Sequence, residues 1–554
     1  MSWATGYPHP VTAVTGGRSR MPTRVLPRPD TGLWAGVGPV PGAPLPRYAL
    51  REVGAVAVGL VALLLALAGR YGYHRDELYF RQLSGAPAWG YVDQPPLTPL
   101  VARGAVSLLG DSVWALRVPA AVSVGVLVLL LALLARELGG RRKAQVVAAA
   151  AAAGATPLIS GHLLLTASLD WPLWVLTTWL VTRALLREQP RVWLLAGLAA
   201  GAALYNKHLV LLLLLGLAVG LLTVGPRQVL RTRWPWLAAG VAVIVGSPNL
   251  VYQVVHGLPQ LQMAGSLTGS AARWVFLPGQ LLSLGPPAAV IWGAGLVALW
   301  RSPRLRRVRP LGAAYLVAAA LLLLVAGQFY YTTGFLLVLF AVGSVAAERW
   351  IEQAGGAERR LRTVRLRRLV LINAVTSALV ALPLLPVQLL AVSPVPLLNP
   401  SVGDQVGWQR YVAQVAAVTD ALPPAQRARS VVVAENYGEA GALERYGPAL
   451  GLPPVVSGHN ALHDLARPAE GTTTAVVLVQ GHGNGHVSEQ LLRRSFDTCT
   501  LAGQLDNGVG VPNEEEGTAI VVCHDPVRSW EETWPDFAYV GLSTFCHPCR
   551  RLGL

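Results

Sequence analysis

Charge is scarce in this chain. Asp, Glu, Lys and Arg make up 13% of its 554 residues, where soluble globular proteins carry about 25%. With 53% hydrophobic residues and a mean hydropathy of +0.46, that deficit excludes an ordinary soluble domain. Lysine is nearly missing: Lys143 and Lys207 are the only two. Cysteine is absent before Cys499, so neither a disulfide framework nor a thiolate metal centre belongs to the earlier part. The CHPC run at 546–549 has no second CxxC to complete a zinc site. It reads as a redox pair, a strained disulfide or half of such a site. A signal-peptide layout is also missing, since the first apolar run begins only after Arg51.

Long apolar runs are what the chain has instead. They recur from Ala55 to Leu390, several near the ~20 residues that cross a bilayer. About eleven spans are predicted, near 52–69, 112–134, 144–161, 171–187, 192–205, 208–224, 235–254, 277–299, 310–326, 334–349 and 368–391. The net charge of +16 sits in alternate links: Arg136 to Lys143, Arg183 to Arg191, Arg227 to Arg233, Arg301 to Arg309 and Arg349 to Arg368. The links around His162, 253–275 and 327–334 carry almost none. That asymmetry is the positive-inside pattern, so the basic excess orients the chain in a lipid bilayer and does not signal nucleic-acid binding. It predicts a multi-pass protein of the cell membrane with a cytoplasmic N-terminus. Residues 1–47, rich in Pro, Gly and Arg, read as a disordered cytoplasmic tail, and 48–392 as the membrane domain.

After Ser393 the pattern changes. "SVVVAENY", "TAVVLVQG" and "TAIVVCHD" read as buried strands, with "YGEAGALERYGPAL" and "VSEQLLRRSF" as helices between them. Residues 393–554 are therefore expected to form an extracytoplasmic α/β domain. It holds all four cysteines, and Cys499 with Cys523 is a plausible disulfide in an oxidising compartment.

The densest ionisable stretch lies just beyond the first apolar run: "YHRDELYFRQLSGAPAWGYVDQPPL", Tyr73 to Leu97, within the external loop 70–111. As an interfacial loop its acids are merely solvated. Alternatively, "ELYFRQLSG" is a short amphipathic helix on the membrane, with Leu78, Tyr79 and Leu83 toward the apolar side. Such a helix holds a carboxylate at headgroup level, where it suits general-base work on a hydroxyl.

"YHRDELYF", then "GYVDQPPL" and "SVWALRVPAA", resemble the first external loop and second span of family 39 glycosyltransferases of the GT-C superfamily. These are kin to protein O-mannosyltransferases and aminoarabinose transferases, and the actinobacterial type is most similar. "TASLDWPLWVLTTWLVTRAL", "YNKHLVLLLL", "SPNLVYQVVHGLP", "FYYTTGFLLVLFAVGSVAAERW" and "NYGEAGALERYGPALGLPPVVSGHN" resemble later stretches in the same order. The resemblance implies a GT-C membrane domain that moves a sugar from a polyprenyl-phosphate donor to a hydroxyl of a glycan, lipid or protein outside the membrane. It puts the reacting acid at Asp76, with its neighbour Glu77 orienting it or sharing a divalent metal ion, and a further acid at Asp170. Asp170 also reads as a helix N-terminal acid favoured by the dipole; Asp93 is a candidate substrate contact that also reads as a turn acid. At Gln94 related enzymes carry histidine.

An anionic leaving group calls for an external cation. Lys207 is the expected phosphate contact, or else a snorkelling anchor, and Arg117 is a second candidate. Tyr330 and Tyr331 are expected at the donor phosphate or sugar, or as ordinary interfacial belt tyrosines; His256 is a further donor contact. The rival function is a flippase or transporter of lipid-linked sugars. Such proteins often show internal repeats and ionisable groups at mid-membrane, and neither is evident.

Overall fold

The computed structural model describes residues 32, 34–40, 42–266, 273–480 and 486–541. The chain is mostly helical up to Ala381, and a small sheet follows. Among the described residues four helices are long and apolar enough to cross a membrane: Leu50–Leu67 (α1), Val113–Glu137, Trp234–Val255 and Phe329–Glu352. Two bent pairs raise the number to six. Between α1 and Val113–Glu137 (α4) lie Arg75–Gly85 (α2) and Leu97–Leu109 (α3).

Two of the expected spans are broken. The 144–161 segment bends by 61° at Gly154, and the 277–299 segment by 98° between Leu284 and Pro286. Gly285 takes φ +99°, and two prolines follow it at the start of the next helix; proline lacks the N–H that would continue the ladder. The ends freed by this break stay satisfied. Buried Asn373 accepts from Ala288 N at 3.0 Å and donates to Leu284 O at 2.8 Å. Three other expected spans are helices of only 13, 14 and 15 residues, Val192–Leu204, Val210–Thr223 and Pro310–Leu324. They pack through small residues, as membrane helices do. A Cβ at Gly197 would overlap Ala238, and one at Gly216 would meet Ala314.

The sheet has the order β2-β1-β3-β5-β4, with β1 Ser430–Ala434, β2 Val455–Ser457, β3 Thr474–Val479, β4 Phe496–Gln504 and β5 Ala519–Pro526. β1 is parallel to β2 and β3, while β5 is antiparallel to β3 and β4. The three expected strands are β1, β3 and β5. Cys499 on β4 faces Cys523 on β5, and the two are disulfide-bonded. The CHPC run lies outside the described residues.

Two expectations need correction. Helix α2 forms, but Leu78, Tyr79 and Leu83 do not face lipid. They are buried in a core shared with Trp408, Tyr437 and Val432 of the sheet domain. α2 packs on the Tyr437–Tyr446 helix closely enough that a Cβ at Gly441 would lie 2.7 Å from the Leu78 Cβ. Protein takes the place of the membrane as the apolar partner. The second concerns the tail. Its described part is ordered against the Arg-rich end of the helical body. Val37 is buried, Ser302 Oγ donates to Val37 O, and Arg136 Nε donates to Pro46 O at 2.7 Å.

Candidate active site

α2 starts with its own cap. His74 Nδ1 accepts from Asp76 N at 3.2 Å, and Glu77 Oε2 accepts from His74 N at 2.8 Å. This reciprocal box satisfies donors that a helix start leaves orphaned. The same Glu77 is gripped by Arg117, whose Nε and Nη2 each donate at 2.9 Å, and by Leu164 N at 3.0 Å. Arg117 also donates to Ala68 O, Arg70 O, Gly72 O and Gln405 Oε1. Both side chains are fully buried. Glu77 therefore does not join Asp76 at the reaction centre, and Arg117 is not a phosphate contact. A buried guanidinium needs every donor satisfied, and this one spends its donors fastening α1, α2, α4 and the segment after Pro400.

Asp76, one residue earlier, points elsewhere. It is partly exposed, and its Oδ1 accepts from the Tyr437 hydroxyl at 2.9 Å. The Tyr437 ring stacks on Tyr79 with centroids 4.7 Å apart. Tyr79 in turn donates to Asp93 Oδ1 at 2.8 Å and accepts from Ala461 N at 3.3 Å. Burial pushes the Asp93 carboxyl up to about 7, with the charge of Asp76 adding to the rise and the Tyr79 hydrogen bond opposing it. Burial also holds both tyrosines well above their usual range, so they remain neutral donors.

Tyrosines carry the cluster onward. Tyr330 lies within electrostatic range of Asp76 and Tyr437, and its ring meets Tyr331 edge-on at 5.0 Å. Lys207 Nζ sits 4.9 Å from the Tyr331 ring centroid, a cation–π distance. Lys207 also acts on the charge of Asp170, which is buried with its Oδ1 unpartnered. Asn206, beside Lys207, is fixed by Thr98 Oγ1 at 2.9 Å and donates to Thr166 O at 2.8 Å. The structure therefore brings together Asp76, Asp93, Tyr330, Tyr331, Lys207 and Asp170 from distant parts of the sequence. His256 is not among them: it is exposed and stacks on Tyr252 of its own helix at 3.9 Å.

Sequence reasoning missed Tyr79 and Tyr437. The signal was present in "NYGEAGALERYG", whose Gly438 and Gly441 face Arg75 and Leu78 of α2 at close range. These glycines serve packing, and the N-terminal amides of that helix are capped by Asn436, which accepts from Glu439 N at 2.9 Å. Glu435 and Glu439 have structural duties, Glu435 accepting from Gln480 N and from Val487 N. A metal ion held jointly by Asp76 and Glu77 does not fit, because Arg117 occupies Glu77. Among the described residues no three His, Cys, Asp or Glu side chains gather to hold one.

The helical body, the small sheet domain and the acid–tyrosine–lysine cluster between them form an architecture that known structures share. The chain is similar to the crystal structures of ArnT from Cupriavidus metallidurans. To the apo state it is 14% identical with a TM-score of 0.54, and to the state bound to undecaprenyl phosphate 16% with 0.54. Each match covers 85% of this chain and 97% of that one. A cryo-EM structure of the arabinofuranosyltransferase AftD from Mycobacteria is 14% identical with a TM-score of 0.49, covering 86% of this chain and 40% of that one. Residues 93–252 match the family described as dolichyl-phosphate-mannose-protein mannosyltransferase. That segment includes Asp93, Arg117, Asp170 and Lys207 and begins after Asp76. No curated protein matches the chain significantly. Family match and fold agree with the glycosyltransferase reading of the sequence and lend nothing to the flippase alternative.

Proposed function

We propose that the protein transfers a sugar from a polyprenyl-phosphate donor to an acceptor hydroxyl on the extracytoplasmic face of the cell membrane. The observation that supports this best is the line from Asp76 through Tyr330 and Tyr331 to Lys207. It sets an open carboxylate and a cation at the same end of the helical body, under the sheet domain. The reaction needs both. The acceptor oxygen bonds to the anomeric carbon while the bond from that carbon to the phosphate oxygen breaks. Asp76 takes the hydroxyl proton, and Lys207 meets the charge of the departing prenyl phosphate. The likeness to ArnT bound to undecaprenyl phosphate supports the choice of lipid donor.

The accompanying topology is eleven membrane-embedded segments, a cytoplasmic N-terminus and residues 393–554 outside. It follows from the arginine asymmetry. The arginines at 136, 183, 187, 304 and 349 all flank one end of the helical body, and the reacting cluster lies at the other.

Purified protein in lipid vesicles, given a panel of undecaprenyl-phosphate sugars with cell envelopes as the acceptor source, tests the proposal. Release of undecaprenyl phosphate, reduced about 10²–10⁴-fold in Asp76→Asn, is the expected result. Movement of the donor across the vesicle without release would sink it.

A further inference from the structure

The most unusual feature outside the assigned residues is a column of stacked rings in the sheet domain. Tyr79 stacks on Tyr437 at 4.7 Å, Tyr437 on His459 at 4.8 Å, His459 on Tyr539 at 4.2 Å and Tyr539 on His486 at 4.7 Å. Tyr539 is tied by its hydroxyl to Glu435 O at 2.8 Å, and His459 by its ring to Gly541 O at 3.0 Å. The column starts on α2, beside Asp76, and runs through the sheet domain to the exposed ring of His486. Only one of its members leaves the stack to touch Asp76: the hydroxyl of Tyr437.

Tyr437 is held from every side. Its ring lies between Tyr79 and His459, the Arg75 guanidinium carbon sits 4.8 Å from its centroid, and its backbone N–H donates to His459 Nδ1 at 3.2 Å. Burial keeps its hydroxyl protonated and able only to donate toward a carboxylate. A donor fixed in this way commits Oδ1 of Asp76 and so fixes which way the carboxylate faces.

We infer that Tyr437 is a positioning residue for the reaction: the external domain, through this hydroxyl, sets the orientation of Asp76. The membrane helices alone then lack a competent base. The inference rests on the reading of Asp76 as the proton acceptor and deepens it.

Tyr437→Phe keeps the ring, the stack and the cation contact and removes only the donor. With undecaprenyl-phosphate sugars and cell envelopes as before, its kcat is expected to fall about tenfold or more. Its KM for the donor should stay within about twofold of wild type, because the hydroxyl touches Asp76 and not the lipid. Equal unfolding midpoints of Tyr437→Phe and wild type show that the fold is intact. An unchanged kcat in Tyr437→Phe overturns the inference, and so does a lower kcat with an equally weakened donor KM, which marks a purely structural role. Asp76→Asn separates the two levels. If it is inactive while Tyr437→Phe behaves as wild type, only the inference fails; if it turns over normally, the reading beneath it fails as well.

Discussion

Arg117 and Glu77 meet through two parallel hydrogen bonds, Nε to Oε1 and Nη2 to Oε2, both at 2.9 Å, with neither side chain open to solvent. Two adjacent acids in "RDEL" thus divide the work: Glu77 fastens the loop, and Asp76 is left open. Breaking one side of a buried pair strands the other charge and costs about 3–5 kcal/mol. Glu77→Gln should therefore lower the denaturant midpoint of the detergent-solubilised protein clearly. Asp76→Asn should leave the midpoint within error of wild type and lose turnover. The opposite ranking in stability would contradict this division.

Asp93 gives a pH dependence with a defined sign. Its carboxyl titrates near 7 in the fold, against about 3.9 in an unfolded chain. Below about pH 4 it is protonated in both states. As pH rises toward 7 the unfolded chain releases the proton first, so stability is lost over that window and the loss is complete above it. The residue is partly exposed, which keeps the effect modest. Thermal midpoints measured from pH 5 to pH 8 should fall more in wild type than in Asp93→Asn; parallel curves would refute the shift.

The helical body and three of the five strands were legible because apolar runs and positive-inside charge are local signals. β4 was not, since most of its residues face solvent and it begins directly where the "VSEQLLRRSF" helix ends. The bends at Gly154 and Gly285 were also hidden, because an apolar run reads alike whether straight or broken; the Gly-Pro-Pro of 285–287 was the available clue. At the site, the family resemblance pointed to Asp76, and the need for a cation pointed to Lys207. The roles of Glu77 and Arg117 went wrong because their partners lie far off in sequence, at Leu164 and Gln405. Tyr437 was invisible for the same reason, being 361 residues from the carboxylate that it binds.

The α2 contact with the sheet domain depends on Gly441, where an added Cβ meets Leu78 backbone and side chain at 2.7–3.1 Å. Backbone cannot yield as a flexible side-chain end does. Gly441→Val should separate the two helices, costing about 1–3 kcal/mol from overpacking and reducing turnover, although the glycine touches no reacting group. Limited proteolysis should then cut the sheet domain faster. Wild-type proteolysis and activity together would show that the contact is dispensable.

Topology is tested by impermeant thiol labelling of intact cells, with Cys546 and Cys549 replaced and the disulfide kept. Glu489→Cys, on an exposed turn of the sheet domain, should be labelled, and Glu188→Cys, in an arginine-rich link, protected. The reverse pattern would invert the orientation.

Lys207 offers the sharpest contrast with Asp76. Its ammonium rests against the Tyr331 ring with Asp170 nearby, and neither contact saturates it, since an ammonium carries three donors. A phosphate arriving there gains a charge-assisted hydrogen bond. Lys207→Ala should therefore weaken donor binding about tenfold or more, with kcat at saturating donor reduced far less than in Asp76→Asn. Asp170→Asn should also weaken binding, by removing a negative charge that acts on Lys207. Combined with Lys207→Ala it should add little, because both changes act through one ammonium. Equilibrium binding of undecaprenyl phosphate to the four variants of this cycle decides the matter. Fully additive losses would separate Asp170 from Lys207, and unchanged binding in Lys207→Ala would leave the lysine a membrane-surface anchor.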